Sequence, residues 1–476
     1  MATKRDLVEA HAFSRRRLVT AFVSGAPGGR EVEPARPGRT IVGGLALAVL
    51  VVAGAAIAGV FAPRTPDDWT EPGLIISKEK GAAYVILDEQ TSDPELRPLI
   101  NITSAQLILG ADVEPRIIAQ DDIDGETVGD DIGILGAPAS APAPDRLIET
   151  GWSACTGDGL GIKVDVTATP EVQAAPGSGF AVRSAGSTFV IAQGKQEGDR
   201  SPRAYAYAVS DRGNDEDNLL NALGFPGRVE APRVPADWIR LFPAGGTLGV
   251  ETFAITGFGD PAPGAGSGTG LPADARIGDY VPVGDGALLL TAAGPLELDE
   301  FALAVYRNIK LPDGGEARGL DLGEPPSLTQ AESPLDAAHW PARPLLRVSG
   351  QACALLEPQP GDVPAVQVAT APSGDASAET VGAGAKELWV DQGRGAYVRS
   401  GTWDDTVAGQ PFIIDNKAVR YELVGPGVAD RLGYADVDVP VVPDSWVELF
   451  AAGVPLSIDA ALCPPSAETP TGSSCE

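Results

Sequence analysis

Residues Ile41 to Ala62, IVGGLALAVLVVAGAAIAGVFA, hold no charge, no side-chain amide and no hydroxyl over 22 positions. As a helix they reach about 33 Å, enough for a hydrocarbon core of roughly 30 Å. A single segment crosses such a core only as a helix, because every backbone polar group must be satisfied internally. Residues 40–63 are therefore expected to span a membrane, and the rest of the chain must fall on one side or the other.

Charge sets the orientation. Residues 1–39 carry eight Lys/Arg (Lys4, Arg5, Arg15, Arg16, Arg17, Arg30, Arg36, Arg39) against four acids, a net of +4, so the chain's −30 becomes −34 over the remainder. Basic residues next to a span stay on the cytoplasmic side, which places the N-terminus inside and about 410 residues outside. A cleaved signal peptide has a short basic leader and an apolar core of roughly 7–15 residues. Here 39 residues precede a longer core. The segment reads as a retained anchor.

The exported part is long enough for two or more domains. With 43% hydrophobic residues it can build cores, and its 58 Gly and 42 Pro call for many turns and short elements. The expected class is mixed α+β, rich in strands. Its acidity excludes nucleic acid and anionic lipid as partners of the outer region, and solubility alone accounts for it. The four cysteines (Cys155, Cys353, Cys463, Cys475) all follow the span, where thiols oxidise. They allow three pairings. Cys463 and Cys475 can close a small loop, which leaves Cys155 with Cys353 across about 200 residues. No CxxC or nearby His favours zinc.

Ahead of the span, Leu7, His11, Leu18 and Phe22 recur at helical spacing, and Thr3 and Asp6 stand at capping distance. Residues 4–24 are expected to form an amphipathic helix bearing Arg15, Arg16 and Arg17, followed by a linker at 26–39. Such a helix either docks a cytoplasmic partner or lies on the anionic inner leaflet. After the span, Leu74–Ile76 and Ala83–Leu87 read as strands, 98–110 as an extended stretch entering a short helix, and 136–144 as a boundary.

The exported part also contains a duplication. Val234 to Leu248 (VPADWIRLFPAGGTL) matches Val442 to Leu456 (VPDSWVELFAAGVPL) at eight of fifteen positions. Upstream, GSGFAVR at 177–183 pairs with GRGAYVR at 393–399, and Leu223-Gly224-Phe225 with Leu432-Gly433-Tyr434. Pro235 and Pro443 suit the first turn of a short helix. Trp238, Leu241, Phe242 and Trp446, Leu449, Phe450 then form one apolar face, with Gly245 and Gly453 as stops. Such a stripe is more often core than ligand site, so Trp238, Phe242, Trp446 and Phe450 read as structural. Two related units far apart suggest a pseudo-symmetric arrangement.

Catalytic signatures are missing. Outside the cytoplasmic segment His339 is the only histidine, without GxSxG or HExxH, and there is no GxxxxGK[ST]. The run Gly264 to Gly270 lacks a Lys and reads as a flexible loop. The pairs Asp121-Asp122, Asp130-Asp131 and Asp404-Asp405 fall in no calcium loop and read as solvated turns. No catalytic residue, cofactor or metal site is expected.

Taken together, these stretches resemble the EccB family, membrane core components of type VII (ESX) secretion systems. TKRDLVEAHAFSRRRL at 3–18 is similar to that family's N-terminal helix, and Gly81–Leu87 with Leu99–Ile108 to its first repeat. Gly133–Pro138 resembles GIPGAP with Leu135 in place of a Pro, Trp152–Cys155 resembles WSxC, and 393–399 also fits. The resemblance implies a single-pass protein whose elongated outer region has four repeat units around a central β domain stapled by Cys155–Cys353. The implied division is 1–39 cytoplasmic helix and linker, 40–63 span, 64–135 connector and first repeat, and 136–178 with 331–392 as the central domain. The second to fourth repeats fall at 179–250, 251–330 and 393–457, with a tail at 458–476. It further implies a scaffold that assembles with a cytoplasmic motor ATPase, a multi-span channel subunit and other core subunits, and whose outer domain self-associates. Some family members carry an ATPase label, which no nucleotide motif here supports. A wall-binding or wall-hydrolysing anchored protein is the alternative from a different class.

Overall fold

The structure is a computed structural model that describes residues 4–24, 68–88, 94–195, 201–210, 213–348, 350–372, 377–466 and 475. Among the described residues no helix is long and apolar enough to cross a membrane. The expected span at 40–63, the linker and Thr3 lie outside them. The chain divides into two units, residues 1–67 and 68–476.

In the first unit a helix runs Lys4–Ser24. At 100° per residue, Leu7 and Leu18 share one face, whereas Val8 and Phe13 stand off it. All four are well exposed. Apolar surface is thus spread wider than the stripe expected from spacing.

The second unit is β-rich with short helices between strands. Its central sheet has six strands, in the order Lys386–Val390, Ile162–Val166, Trp152–Thr156, Gln351–Glu357, Ala365–Ala371, Gln173–Ala174. Two distant stretches of chain therefore share one sheet. Ile162, Val164 and Val166 are buried while Lys163 and Asp165 between them are not, the period-two pattern of a strand with one face inward.

Four further sheets share one order of connection. Three consecutive antiparallel strands lead into a helix, and the chain then returns parallel to the first strand. In the first sheet these are Gly73–Ser77, Ala83–Ile86 and Glu95–Leu99, helix Ile102–Leu109, and the return Arg116–Ile118. The sheet of Ser178–Ser184, Ser187–Gln193 and Ala204–Ala208 is followed by helix Asn214–Ala222 and a parallel bridge from Arg183 to Arg233. Tyr280–Val283, Gly286–Thr291 and Gly294–Leu298 precede helix Glu300–Asn308 and a bridge from Tyr280 to Gly319. Ala396–Gly401, Gln410–Ile414 and Val419–Glu422 precede helix Val428–Arg431 and the return Val441–Pro443. A parallel return needs such a crossover because no tight turn can make it.

Core contacts give the packing order. One cluster joins Leu107 and Ile134 to Tyr397, Leu432 and Tyr434. A second joins the central strands to Trp238, Phe242, Trp446 and Phe450. A third joins Leu219 and Leu220 to Leu289 and Phe301. The helix after the first sheet thus packs on the last sheet, the last and the second sheets on the central sheet, and the third on the second. Stretch 136–144, expected as a boundary, is a strap between the first and last sheets. Thr103 Oγ1 donates to the Pro138 carbonyl at 2.8 Å, and Tyr434 Oη to that of Pro142 at 2.6 Å.

Three local expectations need correction. Pro235 and Pro443 sit at the N-cap of the helices Ala236–Ile239 and Asp444–Val447, one place before the first turn. Gly245 and Gly453 do not stop those helices, which are already capped at Arg240 and Glu448. Each glycine instead donates its N–H to a neighbouring strand, to Ala206 and Arg420 respectively. Left-handed glycines instead follow the preceding helices, Gly224 after Asn214–Ala222 and Gly433 after Val428–Arg431, both with φ 86°. Residues 264–270 form hydrogen-bonded turns, with Ser267 N donating to Gly264 O at 3.2 Å and Gly266 N to Leu271 O at 3.2 Å. Leu271 is buried at their end.

Candidate functional site

The duplicated stretches meet inside the protein. Trp238 and Trp446 are both fully buried. Trp238 Nε1 donates to the Ala154 carbonyl of the central sheet at 2.9 Å, whereas Trp446 Nε1 donates to the Leu241 carbonyl at 3.0 Å. The second copy therefore caps the first copy's turn, and the first caps the sheet. Phe242 packs edge-on to Trp238 at 5.1 Å, and Phe450 edge-on to Trp152 at 5.6 Å. At the rim, Asp237 takes Lys386 Nζ at 2.8 Å and Arg240 Nη2 at 2.7 Å, and Arg240 also reaches Glu448 at 3.8 Å. These contacts hold the Asp237 carboxyl below its ordinary 3.8, through the hydrogen bonds from Lys386 and then Arg240.

Cys155 and Cys353 face each other on adjacent antiparallel strands and are joined by a disulfide. They lie on the sheet face away from the tryptophans, packed with Val172, Ala378 and Val381. A second disulfide joins Cys463 to Cys475. Gly133 N donates to the Cys463 carbonyl at 3.0 Å, which ties the tail to the first sheet. Arg15 is exposed on the N-terminal helix; the side chains of Arg16 and Arg17 lie outside the described residues.

His339 closes a short turn with its backbone left-handed, φ 53°. Its ring stacks on Tyr205 at 4.8 Å, and its carbonyl accepts from the Tyr207 hydroxyl. It lines a cavity of ≈ 650 Å³ together with Lys195, Glu297, Asp299, Asp336 and Trp340. Asp299 is occupied as a helix cap, accepting from Ala302 N at 2.9 Å, and burial pushes its carboxyl up. Three carboxylates against one lysine make this cavity a poor host for a polyphosphate. Among the described residues no group of three His, Cys, Asp or Glu is placed to hold a metal ion. Asp405 accepts from Thr402 N at 2.7 Å and from its hydroxyl at 2.8 Å, a local turn.

Sequence reasoning missed two features. Arg116 clamps the chain entering the first sheet, with Nη1 donating to the carbonyls of Glu71 at 2.8 Å and Asp68 at 3.1 Å. Trp389 stands exposed on the edge strand of the central sheet. The alternation in KELWV was its available signal, with Glu387 and Trp389 on one face and Leu388 and Val390 on the other.

Comparison with known proteins places the whole arrangement. The ESX-1 secretion system ATPase EccB1 of Mycolicibacterium smegmatis is 25% identical over 463 residues, covering 89% of this chain and 87% of that protein. The ESX-3 secretion system ATPase EccB3 of Mycobacterium tuberculosis is 26% identical over 469 residues, covering 86% and 80%. Two solved structures share the fold. The EccB3 dimer from the ESX-3 core complex has a TM-score of 0.60 at 21% identity, over 82% of this chain and 99% of that one. A chain of an intact ESX-5 inner membrane complex has a TM-score of 0.59 at 21% identity, over 99% and 98%. The family model described as "Type VII secretion system ESX-1, transport TM domain B" matches residues 1–466, and the chain belongs to this EccB family.

Proposed function

We propose that this chain is a structural membrane subunit of a type VII secretion complex, scaffolding export of small helical proteins through the cell envelope. The observation that carries the reading is family membership over residues 1–466. Relatives of the same fold come from an intact inner membrane complex and from a dimer within a core complex. In this reading the N-terminal helix, with Arg15, Arg16 and Arg17, docks cytoplasmic subunits, and residues 40–63 span the membrane once. The rest is extracytoplasmic and self-associates. The shared strand–helix–return order of four sheets supports four repeat units near 64–135, 179–250, 251–330 and 393–457. The six-stranded sheet supports a central domain drawn from 136–178 and 331–392, with a tail at 458–476.

A second reading, nucleotide hydrolysis, draws on the word ATPase in the relatives' names. The acid-lined His339 cavity and the lack of a phosphate-binding motif favour the scaffold instead. The test is purification of the tagged full chain from its native membrane in mild detergent. A large particle containing a motor ATPase and a multi-span subunit is expected, with assembly lost when Arg15, Arg16 and Arg17 are changed to Glu. A lone monomer or dimer, in detergent that preserves other membrane complexes, refutes the scaffold. ATP hydrolysis by the isolated chain would establish the second reading.

A further inference from the structure

Among the described residues the strand Lys386–Val390 is last in the central sheet and pairs on one side, in parallel, with Ile162–Val166. Its inward residues Leu388 and Val390 pack on the core that holds Trp238 and Trp446. Trp389 points the other way and is 48% exposed. Register places Trp389 beside Asp165 and Asp165 beside Ser153, a row across three strands. Glu387 lies beside Lys163, with Nζ to Oε1 at 3.7 Å. Glu171 and Asp391 border the same concavity, of ≈ 580 Å³. Four carboxylates therefore surround one ammonium and one exposed indole.

That chemistry selects its occupant. Glu387 is paired with Lys163 and Asp391 Oδ2 accepts from Ala168 N at 3.0 Å, but an apolar partner would still strip water from the site without replacing its hydrogen bonds. Nucleic acid or an anionic lipid headgroup would be repelled. A guanidinium satisfies both halves, since it stacks on an indole face and forks onto carboxylates. The open edge favours an extended backbone, bound by main-chain hydrogen bonds. Along an added strand, alternate side chains share a face, the same spacing that separates Glu387 from Trp389.

We infer that this edge takes an extended, arginine-bearing segment of a partner protein, added as a further strand beside Lys386–Val390. Alternate basic side chains lie over Trp389 and against Asp165, Glu171, Glu387 and Asp391. This surface is separate from the cytoplasmic helix and from the membrane anchor, and does not depend on which complex the chain joins.

The test uses the full chain in detergent and a labelled peptide of three Arg-Val repeats, blocked at both ends, read by fluorescence anisotropy. Saturable binding is expected, weakening as salt is raised. Trp389→Ala should weaken it about fivefold, and Glu387→Lys about tenfold. Both positions are exposed, and unchanged circular dichroism checks the fold. Methylating alternate backbone nitrogens of the peptide should abolish binding, which a purely electrostatic contact would not do. Three outcomes overturn the inference. One is no saturation up to millimolar peptide. Another is binding indifferent to both Trp389→Ala and backbone methylation. The third is capture of a neutral oligosaccharide, lost in Trp389→Ala, in place of the peptide.

Discussion

Gly245 and Gly453 occupy matching places in the two copies of the duplicated stretch, which allows a comparison inside one molecule. Neither has a left-handed backbone, so space alone decides what a methyl group would do. At Gly245 an added Cβ would stand 2.3 Å from Tyr207 Cε1; at Gly453 it would stand 2.4 Å from Tyr421 Cε1. The clashes are nearly equal, but the rings are not equally held. Tyr207 is fully buried and its hydroxyl donates to the His339 carbonyl. Tyr421 is bonded only loosely to Asp415 Oδ2, at 3.4 Å. Overpacking a core costs about 1–3 kcal/mol, and stranding a buried hydrogen-bonding group about 1–3 more. Gly453→Ala should therefore cost about 1 kcal/mol, with the Tyr421 ring giving way, and Gly245→Ala about 3 kcal/mol or more. Urea unfolding of residues 64–476, followed by tryptophan fluorescence, measures both. On a Tyr207→Phe background the ring is free to shift, so Gly245→Ala should cost less there than alone. Equal costs at the two glycines, or strict additivity with Tyr207→Phe, would refute the reasoning.

Two further outcomes follow from contacts already described. Cys155→Ala with Cys353→Ala opens a bridge spanning 198 residues, and Cys463→Ala with Cys475→Ala one spanning 12. Loop-closure entropy puts the losses at about 5 and about 3 kcal/mol, and the reverse order in denaturant midpoints would exclude that cause. The Asp237 carboxyl is held below its ordinary 3.8 by Lys386 and Arg240. Its contribution is therefore complete above that value and lost as pH falls through the lower, folded one. Asp237→Asn should lower the urea midpoint at pH 7 and flatten its decline below pH 4, whereas an unchanged acid limb would show that the pairing contributes nothing.

The strands at 74–76 and 83–87 were legible as short apolar runs, although Tyr84, Val85 and Ile86 are buried one after another and so follow no period of two. The tryptophan stretches were legible because they occur twice. Their glycines were misread for a physical reason. A glycine three residues beyond an apolar helical face looks like a helix stop, while its actual constraint is a tyrosine ring from another strand, at no fixed distance in sequence. The pairing of 152–156 with 351–357 is invisible to any local pattern, since neither strand encodes its partner's address. It was anticipated through the cysteines, with Cys155 and Cys353 left over once Cys463 and Cys475 close their loop, and through the family resemblance of Trp152–Cys155. Trp389 went unnoticed because sequence alternation marks which side of a strand a residue takes, not whether that side is covered.

The central sheet draws its strands from both flanks of a long intervening stretch, and the helix after the first sheet packs against the last sheet. A chain emerging N-terminus first must therefore wait. Strands 152–156 and 162–166 expose an open edge until 351–357 arrives, and the first sheet lacks its neighbour until the helix Val428–Arg431 and the tail that follows have emerged. Completion belongs to residues far along the chain. A truncation that removes only 442–476 would take Trp446 from the core and Cys463 from Gly133, unsettling the beginning of the protein as much as its end.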